Sequence, residues 1–268
     1  MKKTVKLILL PIIYSVVTSI VMVFISFIYT GLNAYYLGYN TNEQLDLYFK
    51  SDLYKQGMSD FLNKNYIYIS LLIFMIFVPF LYKKYKQLNL KEEKIKLESI
   101  LIIMVLTFLV AGITNIIFFQ INSVIGFTNA YNINYDTNIF ILVLTSGIVG
   151  PIIEELIFRG LLYNGFKEEY TPMLSIIITS VLFSIFHTGI INIVYSFELS
   201  FLLIYVYEKY KTIKAPIIMH ITSNIFVMLF VYILSLSSLV NYILLIIFII
   251  GLLLMYFKVI KKDNKIMI

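Results

Sequence analysis

The chain has no cysteine. Disulfides and thiolate chemistry are therefore excluded. Charge is scarce as well. Asp, Glu, Lys and Arg make up 13% of the residues against 60% hydrophobic ones, and mean hydropathy is +0.90. That balance excludes an ordinary soluble domain. Histidine occurs only at His187 and His220, and arginine only at Arg159. Acid–base or metal chemistry has little else to draw on.

What fills the chain is apolar sequence in blocks of about 20 residues, the length that crosses ~30 Å of hydrocarbon. This pattern predicts an all-α, polytopic transmembrane bundle with eight spans, at roughly 7–31, 66–82, 98–120, 138–162, 173–188, 190–207, 215–236 and 239–257. The opening MKKTVKLILLPII imitates a signal peptide. Its apolar run continues to about Tyr29 without a small-residue cleavage site at the right distance, so a retained first helix is expected.

The net charge of +6 could point to nucleic acid, but the lysines cluster at helix ends, where topology explains them. No nucleic-acid partner is expected; the lipid bilayer is. Lys2, Lys3 and Lys6 precede the first span, and Lys83, Lys84, Lys86, Lys91, Lys94 and Lys96 crowd the second connection. Lys167 follows the fourth span, Lys209, Lys211 and Lys214 lie between the sixth and seventh, and Lys258, Lys261, Lys262 and Lys265 follow the eighth. With eight alternating helices all of these fall on one side, expected to be cytoplasmic along with both termini. The connections at 121–137, around Gly189 and around Ser237 carry no Lys or Arg. The outer loop 32–65 mixes Lys50, Lys55 and Lys64 with Glu43, Asp46, Asp52 and Asp60. Leu45, Leu47, Phe49, Leu53 and Phe61 among those charges predict a short amphipathic surface helix there. Richness in Ile, Lys, Asn and Tyr fits a low-GC coding bias, and a bacterial plasma membrane is the expected location. No repeat or linker divides the chain, which reads as one bundle.

A charge at mid-helix costs roughly 2.5–3.5 kcal/mol on insertion scales, so such residues are functional suspects. They are Glu154, Glu155, Arg159, His187, Glu198, His220 and Asn224, with Asn115 and Gln120 near an outer end. In PIIEELIFRG, Glu155 and Arg159 are four apart and can form an ion pair. Glu154 is rotated by about 100° and faces elsewhere. Pro151 after Gly150 predicts a helix start or kink just before it. The polar turn NGFKEEYTP separates the fourth and fifth spans. Glu154 and His187 lie almost equally far from its middle, each ~25 Å along a helical arm, so they share one level of a hairpin. The short fifth span predicts that its turn at Thr188–Gly189 lies below the outer surface. His220 and Asn224, four apart on one face, reach the same half of the membrane.

A carboxylate, two imidazoles and an amide form a hydrolytic set. The carboxylate takes a proton from water, an imidazole orients that water or binds a metal, and the amide stabilises an oxyanion. Singly, each has a blander reading. Glu155 with Arg159 is more often a structural pair, His187 a packed histidine, and His220 with Asn224 interhelical glue. Glu154 alone could serve a proton relay, and Glu198 could be a partner that orients a histidine or an unrelated polar patch. Together they hold every histidine and the only arginine in one geometrically consistent set.

The order Glu154-Glu155-Leu-Ile-Phe-Arg159, Phe183-Ser-Ile-Phe-His187 and His220-Ile-Thr-Ser-Asn224 on successive helices resembles the CPBP family, the CAAX proteases and bacteriocin-processing enzymes also called Abi. The resemblance covers about residues 140–230. It implies an intramembrane endopeptidase core at 138–236, between undiagnostic helices at 1–137 and a last helix with a basic tail at 237–268. By that resemblance Glu154 activates the water with help from His187, His220 and Asn224 hold the oxyanion or help bind a metal, and Glu155 and Arg159 support the site. The YSFELSF stretch with Glu198 departs from the glycine-rich face that family members often have there. Glu154, His187 and His220 would be a zinc set with water in the fourth position, yet the H-E-x-x-H arrangement is absent and a metal-free glutamate–histidine pair uses the same residues. Expected substrates are peptides or membrane proteins, as in bacteriocin or pheromone processing or self-immunity. The rival readings are a proton- or ion-coupled transporter with Glu154, Glu198 and the histidines as a relay, which should show two related halves, and a non-enzymatic membrane scaffold.

Overall fold

The computed structural model describes residues 3–125, 138–234 and 237–257. The basic tail at 258–268, most of the expected outer connection 121–137 and the end of the seventh expected span at 235–236 lie outside these residues. Everything regular within them is helical. The chain forms two compact units, Met1–Pro79 and Phe80–Ile268. The division falls inside a helix rather than in a linker, which is why composition shows no boundary and the sequence reads as one bundle.

The first unit holds α1 (Lys3–Tyr36), α2 (Asn42–Lys50) and most of α3 (Asp52–Lys86). α2 is the amphipathic helix expected in the outer loop. Its start is a reciprocal cap: Thr41 Oγ1 accepts from the Gln44 amide at 3.3 Å, and Gln44 Oε1 accepts from the Thr41 amide at 3.1 Å. It anchors inward through Tyr48, whose hydroxyl accepts from Asn33 Nδ2 at 2.8 Å. The rest of the expected loop is not loop. Residues 52–65 continue without a break into the apolar part of α3. Asp52 in the first turn suits the positive end of the helix dipole, and Phe61 stacks on Tyr29 of α1 at 3.9 Å.

The second unit contains the end of α3, then α4 (Leu97–Ile125), α5 (Ile139–Glu169), α6 (Pro172–Ile185), α7 (Ile190–Tyr210), α8 (Lys214–Leu234) and α9 (Ser238–Met255). Among the described residues six helices are long and apolar enough to cross a membrane, and α6 and α8 are shorter apolar helices. These eight correspond to the eight expected spans of a multi-pass membrane protein. α8 is the hub, packed against α4, α5, α7 and α9. Leu106, Leu109 and Ile116 of α4 meet Phe230 and Leu234 of α8 and Phe248 of α9. Small residues let the backbones approach, as membrane helices require: a Cβ at Gly112 would stand 2.3 Å from the Phe248 ring.

α5 qualifies one expectation. Pro151 stands in the first turn of an α-helical stretch, as expected, but that stretch lies inside a longer helix. The helix runs on in wide π-type turns at Val143–Val149 and Leu156–Tyr163, on either side of an α-helical Gly150–Glu155. α6 begins at Thr171, whose hydroxyl caps the Leu174 amide, with Pro172 in the first turn. It stops at Ile185, as short as expected. The chain then turns through Gly189, whose φ of +86° strains any residue with a side chain, and this turn sets His187 just beyond the helix end.

Candidate active site

Glu154 and Glu155 are neighbours with opposite environments. The Glu154 side chain is 32% exposed and that of Glu155 is fully buried. A buried carboxylate must be paired, and Glu155 is. Its Oε1 accepts from Arg159 Nη1 at 3.0 Å, the ion pair expected from their spacing. The same oxygen lies 2.8 Å from His220 Nδ1. With Arg159 neutralising the carboxylate, His220 donates through Nδ1–H, and a neutral ring then has its lone pair on Nε2. That Nε2 stands 3.8 Å from Oε2 of Glu154. The gap is too long for a direct hydrogen bond and suits a water donating to both groups.

Arg159 is held from three sides. Its Nη2 donates to Ser200 Oγ at 2.7 Å, and its guanidinium lies 4.4 Å from the centre of the Phe183 ring. Phe183 also packs against His187, with ring centroids 4.8 Å apart, and against His220 at 5.7 Å. The Nδ1 of His187 lies 2.9 Å from the Phe183 carbonyl oxygen, to which it donates, so its Nε2 too is left with the lone pair. One fully buried ring thus gathers both histidines and the arginine. Sequence reasoning used Phe183 only to mark spacing and missed Ser200 altogether. A small hydroxyl in an apolar helix, two residues after Glu198, was the available signal.

Asn224 joins the site through α5. Its Nδ2 donates to the Ser146 carbonyl at 3.0 Å. Gly150 bonds to Thr145 in the i→i+5 register. In that register the Ser146 carbonyl would be served by residue 151, which is proline and has no N–H. Asn224 therefore supplies a donor that the helix cannot, and one amide hydrogen remains.

Glu198 does not join. Its Oε1 accepts from Thr114 of α4 at 2.9 Å, beside a small opening lined also by Tyr195 and Ser223. The reading of Glu198 as a partner for a histidine is corrected: among the described residues its carboxylate bonds Thr114 of α4 and no imidazole.

Both histidines anchor Nδ1 to an oxygen, the usual arrangement of metal-binding imidazoles. The full set does not follow. Among the described residues no group of three His, Cys, Asp or Glu is placed to hold a metal ion. The expected zinc set of Glu154, His187 and His220 is thus not assembled in this geometry, and no step is derived through a metal.

Comparison with known proteins points the same way as the motifs. Residues 136–226 match the family described as type II CAAX prenyl endopeptidase Rce1-like. That segment contains all seven residues that define the cluster's three motifs. A Bacillus subtilis (strain 168) protein named "Putative membrane peptidase YdiL" is 32% identical over 89 residues, which is 33% of this chain. The chain spans only 36% of that relative's length. No solved structure matches. The resemblance to CPBP-family membrane endopeptidases is therefore borne out over this segment.

Proposed function

We propose that this chain is an intramembrane endopeptidase in which Glu154 deprotonates the attacking water. The observation that carries the reading is the division of labour between adjacent glutamates. Glu155 is buried, neutralised and spent on orienting His220, while Glu154 is accessible and faces the free Nε2 of the same imidazole across 3.8 Å. A water there donates to Glu154 and to His220, which turns its lone pair away from both and toward a substrate carbonyl. Glu154 takes the proton as the C–O bond forms and returns it to the leaving amine as the C–N bond breaks. The second amide hydrogen of Asn224 is the donor assigned to the oxyanion, and His187, with its Nε2 lone pair, assists Glu154 with the water. Arg159 and Phe183 hold the assembly in place.

The substrates are peptides or membrane proteins presented within the bilayer, with bacteriocin or pheromone precursors and self-immunity as the biological settings. The host membrane is a bacterial plasma membrane, with the lysine-rich connections in the cytoplasm. The test is cleavage of a fluorogenic peptide library and a membrane-protein pool by the full chain in lipid. Glu154→Gln and His187→Ala are run beside it, with and without a chelator. Loss of cutting in both folded variants is expected. Cutting that survives Glu154→Gln overturns the assignment. Loss on chelation with recovery on added zinc would make the same residues part of a metal mechanism.

A further inference from the structure

A second polar site lies at the lysine-rich end of the second unit, away from the glutamate–histidine cluster. The connection from α3 to α4 is not helical between Asn89 and Lys96, and it is tied down at two points. The Glu93 amide donates to the Lys211 carbonyl at 3.0 Å. Glu92 accepts from the Tyr85 hydroxyl at 2.9 Å and pairs with Lys86. Beneath this strap is a cavity of about 120 Å³. Its floor is neutral and polar: the Asn164 side chain donates to the Tyr207 hydroxyl at 2.8 Å and to the Gly160 carbonyl at 3.0 Å. Its rim carries Lys91, Lys167 and Lys211 against the two carboxylates Glu92 and Glu208.

The carboxylates are already neutralised. Glu208 holds both Lys167 and Lys211, each at 2.5 Å, and Glu92 holds Lys86. Lys91 is exposed and has neither ion pair nor hydrogen bond among the described residues. The cavity thus presents hydroxyl and amide groups, one unpaired ammonium and two more ammoniums that can turn toward an anion. It opens where three apolar helices end and lysines concentrate, which is the level of lipid headgroups. Lysines bind phosphate as point charges, and basic pockets between helix ends take phospholipid headgroups.

We infer that this cavity binds the phosphate of a phospholipid headgroup, with Lys91 as its primary cation. Lys167 and Lys211 close on the remaining oxygens by exchanging part of their contact with Glu208. The ligand fastens the strap over the ends of α5 and α7. The same phosphate chemistry could be met by a soluble ion, and the test separates the two.

The full chain in detergent is titrated with dioctanoyl phosphatidylglycerol, with dioctanoylglycerol, which lacks phosphate, and with inorganic phosphate. Thermal stability and retained lipid by native mass spectrometry are read. Phosphatidylglycerol should stabilise saturably, and dioctanoylglycerol should not. Lys91→Glu and Lys91→Ala should weaken the apparent affinity by about fivefold or more. Lys94→Glu, on the same connection but outside the cavity lining, should leave it unchanged. Stabilisation by inorganic phosphate alone, lost in the Lys91 variants, keeps the site and assigns it to a soluble ion. Equal losses in Lys91→Glu and Lys94→Glu would show diffuse surface attraction and overturn the inference. So would the absence of saturable stabilisation by either phosphate source.

Discussion

Asn224 on α8 bonds the carbonyl of Ser146 on α5, the one carbonyl that Pro151 leaves without a helical donor. The pairing explains how a proline is carried in a continuous membrane helix: a neighbouring helix supplies the missing N–H. It also makes a double-mutant test available. Asn224→Ala should cost roughly 1 kcal/mol, the low end for an acceptor left bare, because this one is only part-buried. Pro151→Ala restores a backbone donor, so the double variant should lose less stability than the two single changes combined. Thermal unfolding of all four proteins in one lipid checks this. Strict additivity would mean that the proline and the amide are unrelated.

Glu155 is the electrostatic centre of the site, since Arg159 and His220 share one of its oxygens. Glu155→Gln keeps the shape and removes the charge, stranding a fully buried guanidinium. The expected loss is roughly 3–5 kcal/mol, typical of breaking a buried pair. Arg159→Lys keeps a cation but loses the fork that reaches both Glu155 and Ser200, and it should fall between wild type and Glu155→Gln. Denaturation midpoints in lipid measure the order.

The fold and part of the site were legible in the sequence for physical reasons. Hydrocarbon thickness sets the length of a span, so the eight apolar helices could be counted directly. Helical periodicity placed Glu155 beneath Arg159 correctly. The wide turns of α5 were not legible, because an apolar run does not tell π from α turns, and neither was the bond from Asn224 to a carbonyl 78 residues away. Nor was the bond from Glu155 to His220, which spans 65 residues between helices that periodicity cannot orient. Glu198 misled for the opposite reason: a carboxylate in an apolar helix announces a partner without saying which one, and Thr114 is that partner.

Close packing between α4 and α9 should be intolerant of a single methyl. At Gly112 the added Cβ would fall 2.3 Å from the Phe248 ring, and at Gly251 it would fall 2.8 Å from a Leu109 methyl. Gly112→Ala should cost roughly 1–3 kcal/mol by overpacking. Gly251→Ala should cost less, since the end of a leucine side chain yields more readily than a ring. Comparative thermal unfolding decides it, and the reverse order would contradict the packing described.

The strap over the second cavity should release only in acid. Burial by itself would raise the Glu92 carboxyl, but hydrogen bonds from Lys86 and Tyr85, with the Lys86 charge, outweigh it and hold Glu92 below the ordinary carboxylate range. A carboxyl depressed in the folded state stabilises above its unfolded value, and that contribution is lost as pH falls through the folded value. The stability advantage of wild type over Glu92→Gln should therefore be constant from neutral pH down to about pH 5 and shrink below the ordinary carboxylate value of roughly 4.3. An advantage that already fades between pH 7 and pH 6 would contradict this.

The central claim is that Glu154 activates water while Glu155 only positions His220. It is tested most directly by peptide cleavage in ¹⁸O-labelled water with wild type and Glu154→Gln, both verified as folded. Wild type should place one labelled oxygen in the new C-terminal carboxylate at the cleaved bond. Glu154→Gln should lower cleavage by about 10²-fold or more, the scale of a lost general base, without lowering the unfolding temperature as Glu155→Gln does. Labelled product formed at the wild-type rate by Glu154→Gln would contradict the account.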